Sequence, residues 1–449
     1  MVMDNSGIVY IVHHVDTEGP LNEPISELFD RIEHTLGFDL NLQPSRENLQ
    51  RLLGGSIKTI DKDIIKGIGE IISPHMINFN TSWYEVDKML KKILSNDFRN
   101  TILDSYGNGW IFNWHIMDHV GFITNERRRD LGYLNIFNHY EEILKNTNSN
   151  RDGIHWHFHP IPFFREAHIA ANSYENSFYE LHQILCRRLI EKSWFPRVNR
   201  AGFHTIRPDS NWFLEQWIPF DASNQSKKEP LGYQRDAKTG RFGDWKNAPD
   251  DWSIYHPDLY DWRKVGNANR FISRALNLKL WYRAINEGEI EKAFNKAQID
   301  GRCYLGISNH DFRDMSIEID EFREMLLRVS KKYPDIAYKF SEAIDAFRNV
   351  LGYNPKEVES DKIEFDVNIK DNVLKVRITN GSPFGPQPYL AIKSISGQYF
   401  HDNFDFGDYK RDYYYTFDRV TIEPEKVKKI GIASNDKYGN SFIEIKDLN

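Results

Sequence analysis

The 449-residue chain is 40% hydrophobic and 14% aromatic, enough apolar surface for a sizeable core, so global disorder is excluded. Its 58 Lys and Arg against 65 Asp and Glu leave a net charge of −7, which argues against a polyanion binder and gives no reason to expect a nucleic-acid partner. The two cysteines, Cys186 and Cys303, exclude a disulfide framework and a Cys-rich zinc module, and no run of about 18 apolar residues marks a membrane span.

The N-terminal apolar run is short, lacks a basic leader and meets His and Asp at once. It reads as a buried strand rather than a signal peptide, and a cytoplasmic protein is expected. Short apolar runs recur along the chain, most of them ending in polar residues. They are Ile8–Val12 before His13-His14-Val15-Asp16, Trp110–Met117 before Asp118-His119, Gly153–Phe158 before His159-Pro160, and Ala201-Gly202-Phe203 after Arg200. Then come Trp217–Phe220 before Asp221, Trp252–Tyr255 before His256-Pro257, and Cys303–Ile307 before Asn309-His310-Asp311. None alternates cleanly, as expected of strands covered on both faces.

Residues 21–100 interrupt this rhythm with helical stretches at Glu23–Gly37, Ser45–Leu53 and Tyr84–Leu94. They read as a helical insertion that adds core, or as a wall beside the substrate. Further helices are expected from three apolar stripes: Phe178, Leu181, Leu185 and Leu189; Phe271, Ala275, Leu278 and Tyr282; and Phe322, Met325, Leu326 and Val329. Strands alternating with helices imply a parallel sheet. Polar groups at the strand ends suggest a barrel with its site on that rim. Beyond Gly352-Tyr353-Asn354-Pro355 the period becomes two, from Ile363, Phe365, Val367 and Ile369 onward. A first unit over 1–355 and a C-terminal all-β sandwich over 356–449 are therefore expected. The sandwich aromatics (Tyr399, Phe400, Tyr413, Tyr414, Tyr415) read chiefly as core, with a sugar-gripping surface as the alternative.

The string Gly153-Ile-His155-Trp-His157-Phe-His159-Pro160 carries the most chemistry. On a strand the three histidines share a face; on a helical turn His155 and His159 do. Either way His155 and His159 can converge on one ion, and neutral imidazole is a good zinc ligand. Asp16 and Glu18, in Asp16-Thr17-Glu18-Gly19-Pro20, share a face if the first strand persists that far. One carboxylate could complete the histidine pair while the other acts on water. His14 flanks this site. Asp118, Asp221 and His157 are further candidates for substrate contact or for support behind the ligands. Arg127-Arg128-Arg129 reads as a solvated basic face. Trp245 and Trp252 are either a sugar platform or buried anchors.

These motifs bear a resemblance to a known family. His155-x-x-x-His159-Pro160 resembles the His-Ser-x-Thr-His-Pro motif of the NodB-homology polysaccharide deacetylases, and Val15–Pro20 resembles that superfamily's first motif. Arg200-Ala201-Gly202, the stretch to Trp217–Ser223, and Ser308-Asn309-His310 follow in the family's order. The resemblance covers roughly residues 7–350, leaving 21–100 unmatched. It implies a deformed (β/α)7 barrel and one divalent metal ion, zinc being the ion expected. It also implies hydrolysis of an N-acetyl group, or a related amide bond, on a carbohydrate. Carried over, Asp16 becomes the general base, Glu18, His155 and His159 the metal ligands, Arg200 the group that orients Asp16, and His310 the general acid. The family's adjacent acid pair is here Asp-x-Glu, and the middle of its His motif is here His157, either a group supporting the ligands or an alternative ligand. Two other readings compete: a two-carboxylate glycoside hydrolase, and a non-catalytic carbohydrate-binding protein on a decayed barrel.

Overall fold

Strands β1 (Gly7–Thr17), β2 (Phe112–Asp118), β3 (Gly153–Phe158), β4 (Val198–Asn199), β5 (Phe220–Asn224), β6 (Phe271–Asn277) and β7 (Arg302–His310) run parallel in sequence order. Because β1 pairs with both β7 and β2, the sheet closes into a seven-stranded barrel. An eighth strand, β8 (Ile336–Phe340), pairs with Gly7–Ile11 of β1, below the point where β2 joins it. The sequence runs did not reveal β8. The computed structural model describes residues 7–55, 62–118, 120–123, 132–166, 173–228, 243–280 and 283–448. The expectations on His119, Arg127-Arg128-Arg129 and Tyr282 fall outside those residues. Among the described residues no helix is long and apolar enough to cross a membrane.

Each barrel strand is buried on two sides, and successive residues serve different cores. Val9, Ile11, Val15, Leu305 and Ile307 pack outward into the large core shared with the helices. Tyr10, Val12, Phe220 and Tyr304 pack inward with Phe347, whose helix (Ala343–Val350) plugs the bottom; the Phe220 and Phe347 rings stack at 4.4 Å. Burial of each such side chain contributes roughly 1.5–3 kcal/mol, so two-sided burial is what holds strands this short in place.

Two-sided burial also explains the misread elements. The stripe Phe271, Ala275, Leu278 belongs to β6 and its end, not to a helix, because a strand apolar on both faces fits many spacings. Trp252–Tyr255 is not a named strand; it is a loop segment in which Tyr255 bridges to Ile272. Trp217 ends a helix (Pro208–Trp217), and the strand begins at Phe220. Ala201-Gly202-Phe203 follows β4 as a tight turn.

The insertion is helical, with helices at Ile25–Leu36, Arg46–Leu53, Lys62–Ile71 and Trp83–Ile93. Leu28, Phe29, Ile32, Ile68 and Ile72 form a core of its own, while Val86, Leu90 and Ile93 join the barrel core. Asn80 donates from its backbone to the Phe312 carbonyl (2.8 Å) and from its side chain to that of Asp311 (2.9 Å). The insertion thus braces the loop after β7 at the barrel mouth.

The C-terminal region comprises β9 (Glu364–Lys370), β10 (Val373–Asn380), β11 (Tyr389–Ser394), β12 (Tyr399–Asp402), β13 (Asp405–Phe406), β14 (Asp412–Thr416), β15 (Val427–Asn435) and β16 (Ser441–Asp447). They form two antiparallel four-stranded sheets, ordered β13-β14-β10-β9 and β12-β11-β15-β16. Phe365, Leu374, Tyr413 and Tyr415 from one sheet meet Leu390, Ile392 and Ile432 from the other. The outer face of the second sheet, through Tyr389, Ala391 and Ala433, packs on Leu181, Leu185 and Leu189 of the helix Phe178–Lys192.

Candidate metal centre at the barrel mouth

β1 carries Asp16 up the barrel interior, and the chain then turns at Gly19 (φ 70°). Asp311, just past the end of β7, accepts hydrogen bonds from the backbone N–H groups of Glu18 (2.8 Å) and Gly19 (3.0 Å) and from the Tyr140 hydroxyl (2.7 Å). This clamp holds Glu18 at the mouth. From β3, His157 shares the inward face and His159 follows the strand end. One ligand atom each from Glu18, His157 and His159 lies within 4.8 Å of the others, and all three residues are buried.

The donor set fits a divalent metal ion. His157 Nδ1 lies 2.8 Å from the Arg200 carbonyl, which can only accept, so the ring proton is on Nδ1 and Nε2 carries a lone pair. That Nε2 faces His159 Nε2 at 2.9 Å. Two imidazole nitrogens and one carboxylate oxygen are a ligand set that leaves positions open on zinc. Gly202 is needed for this approach: a Cβ there would stand 2.6 Å from both His159 Cδ2 and the Phe158 carbonyl oxygen. The Gly of Arg200-Ala201-Gly202 is thus a packing requirement behind His159.

Beside the triad, Arg200 Nε donates to Asp16 Oδ1 at 2.7 Å, both residues being fully buried. Burial alone would raise the Asp16 pKa, but Arg200, His157 and His310 together outweigh it and hold the carboxyl well below its ordinary range. His310 Nε2 lies 3.6 Å from Asp16 Oδ2 and 3.8 Å from Glu18 Oε1. Burial pushes its pKa down to about 3, against the pull of Asp16, so the ring is neutral near pH 7.

His155, expected as a ligand, lies outside the cluster, which contains His157 instead. It shares the strand face but lies one layer lower, where its Nε2 sits 3.1 Å from Glu342 Oε1 and 3.2 Å from Asn113 Oδ1. Asn113 Oδ1 also accepts from the Ala343 N–H, so it is the oxygen, and His155 Nε2 must be the donor. Nearby, a chain of fixed polarity crosses the barrel interior. His115 Nδ1–H donates to the Trp156 carbonyl (3.2 Å), so His115 Nε2 accepts from His14 Nδ1–H (2.8 Å), and His14 Nε2 accepts from the Tyr304 hydroxyl (3.0 Å). His14 is therefore a member of this layer beneath Asp16. His13 faces outward, accepting from Trp110 Nε1 (3.0 Å) and donating to Asn309 Oδ1 (2.9 Å).

Two other candidates lie away from the mouth. Asp118 pairs with Arg188, both fully buried, between β2 and the helix Phe178–Lys192. Asp221 accepts from the Ser223 N–H (2.8 Å) and Asn199 Nδ2 (3.1 Å) and lies 3.7 Å from Arg270, so it orients neither Arg200 nor His310. Trp245 and Trp252 are buried anchors, their indoles donating to the backbone carbonyls of His204 and Glu289. Sequence reading missed Asp311, although it follows His310 directly. It also missed His115, whose only signal is the alternation Asn113-Trp114-His115.

The fold and site define a closed parallel α/β barrel with a candidate metal centre at its C-terminal mouth. No protein-family model, curated protein or solved structure matches this chain.

Proposed function

We propose that this protein is a metal-dependent hydrolase that removes an N-acetyl group, or cleaves a related amide bond, on a carbohydrate. The observation that carries the reading is the meeting of Glu18, His157 and His159 beside the buried Asp16–Arg200 pair and His310. The order of motifs shared with the NodB-homology deacetylases supports it, with His157 taking the ligand role first assigned to His155. A zinc ion held by the triad would acidify a bound water and polarise the amide carbonyl.

The chain's own residues supply the rest. Arg200 keeps Asp16 ionised and oriented, so Asp16 Oδ2 is able to accept the proton of the attacking water. An amine anion cannot depart, so the leaving nitrogen needs a proton. His310, 3.6 Å from Asp16 Oδ2, is placed to relay that proton. Asp311 and Tyr140 hold the Glu18 turn while this happens.

The test is acetate release from a panel of N-acetylated glycans by the zinc-supplemented chain, with metal content measured in parallel. Hydrolysis abolished by chelator and restored by zinc is expected. Stoichiometric zinc without hydrolysis of any panel member would favour a carbohydrate-binding protein. Chelator-insensitive cleavage of glycosidic bonds would favour the two-carboxylate alternative.

A further inference from the structure

The half of the mouth opposite the metal triad is built from the ends of β4 to β7, and its hydrogen bonds determine one histidine tautomer. Arg283 Nη1 donates to one amide atom of Gln225 at 3.0 Å. A guanidinium has no acceptor, so that atom is Oε1 and the other is Nε2. Gln225 Nε2 in turn faces Asn277 Oδ1 (3.4 Å) and His204 Nε2 (3.2 Å). Facing an N–H donor, His204 Nε2 must carry the lone pair, which places the ring proton on Nδ1. Asn277 Oδ1 also accepts from the Ser308 hydroxyl (3.2 Å), which fixes the far end of the network.

The backbone at His204 is held unusually. Phe203 and His204 are consecutive non-glycine residues in the left-handed region (φ 52° and 54°), a conformation that L side chains rarely adopt. Trp245 Nε1 donates to the His204 carbonyl at 2.8 Å, and that carbonyl approaches Gly243 so closely that a Cβ there would lie 1.8 Å away. This backbone holds His204 among the ends of β4 to β7, two residues past Gly202, which packs directly on His159. His204 Nδ1 is buried and has no hydrogen-bond partner among the described residues.

We infer that His204 is a tautomer-locked hydrogen-bond donor for a carbonyl or hydroxyl oxygen of the substrate, held in that state by Gln225 and Arg283. The identity of the ligand rests on the hydrolase reading; the tautomer does not. A buried N–H without an acceptor carries an unrecovered desolvation cost, and a substrate oxygen at the mouth would remove it. Burial, reinforced by Arg200 and Arg283, holds the imidazole well below its ordinary pKa, so the ring stays a neutral single donor.

The test uses the full chain carrying 15N-histidine, with the His204 signals assigned by their loss in His204→Gln. Acetamide serves as a neutral probe of the amide carbonyl. A proton on Nδ1 is expected in the wild type, and an Nδ1 resonance that shifts on adding acetamide. In Gln225→Glu the new carboxylate accepts from Nε2–H, so the proton should move to Nε2 and acetamide should bind about tenfold more weakly. An Nε2-protonated ring in the wild type overturns the inference, and so does an Nδ1 resonance that acetamide leaves unmoved. Both readouts are taken on the wild-type chain, so misfolding of Gln225→Glu would not hide the answer. Acetate release is scored separately. Its absence beside a shifted Nδ1 signal removes the hydrolase reading and leaves the role of His204, whereas hydrolysis with an unmoved signal does the reverse.

Discussion

Two layers of histidine lie inside the same barrel, one above the other, and they differ in what their ring nitrogens meet. In the lower layer, Tyr304, His14, His115 and the Trp156 carbonyl form one donor-to-acceptor chain, and His155 Nε2 is engaged by Glu342 and Asn113. In the upper layer, the Nε2 atoms of His157 and His159 face each other at 2.9 Å near a carboxylate. The lower layer is a polar core whose ring protons the protein has already assigned. The upper layer turns the His157 lone pair, the second Nε2 and a carboxylate oxygen toward one another, a set of atoms that suits a cation. A histidine's role therefore follows from the polarity of its neighbours, not from its spacing along a strand.

The sharpest way to break this comparison is to delete one histidine at a time. His157→Ala or His159→Ala should lower metal affinity by more than the ~10–100-fold that loss of a supporting partner costs, whereas His155→Ala should retain one ion per chain. Elemental analysis reads this directly, and full metal retention in the first two variants would dissolve the proposed centre. Next in size is Asp16→Asn, which should keep the metal but slow turnover by about 10²–10⁴-fold, measured as acetate release. Near-normal turnover in that variant would mean that a different base operates.

The lower layer should answer to acid instead. Burial is the main force holding His14 and His115 well below their ordinary pKa, with Arg200 and the neighbouring imidazoles adding to it. Their depressed folded-state values make the neutral forms stabilising above the unfolded pKa of about 6.5. That stability falls as pH drops below this value, by about 1.4 kcal/mol per pH unit for each histidine that takes up a proton on unfolding. Urea unfolding at pH 7 and pH 5 measures it, and a His14→Leu/His115→Leu variant should show a flatter acid limb. The smallest effect expected is from Tyr304→Phe, which leaves His14 Nε2 without its donor. A loss of about 1–3 kcal/mol in urea is predicted, with metal content unchanged.

Much of the site was legible along the chain. Asp16, Glu18, His159, Arg200 and His310 were all singled out from strand ends, and the structure gathers them at one mouth. The choice between His155 and His157 was not legible, because residues two apart on a strand share a face and differ only in depth. Depth depends on strand tilt: Asp16 pairs with His115 and His115 with His155, but paired residues on tilted barrel strands step downward, so Asp16 meets His157 rather than His155. Asp118 and Asp221 look equivalent to Asp16 in sequence, each following an apolar run. They differ because they belong to the outward set, where Arg188 and Arg270 meet them. The strands β6 and β8 escaped sequence reading because apolar cover on both sides leaves no period to detect.

From its sequence alone this chain declared a two-part architecture, since cross-strand alternation and two-sided apolar runs are local patterns that burial imposes directly. It declared as well that histidines and acids would cluster at strand ends. Only the tertiary structure decided which imidazoles meet beside a carboxylate at the mouth and which lie in the hydrogen-bonded layer below. Hydrogen-bond polarity passes through carbonyls and amides from distant strands, such as Arg200 behind His157 and Gln225 behind His204. No linear spacing encodes those partners.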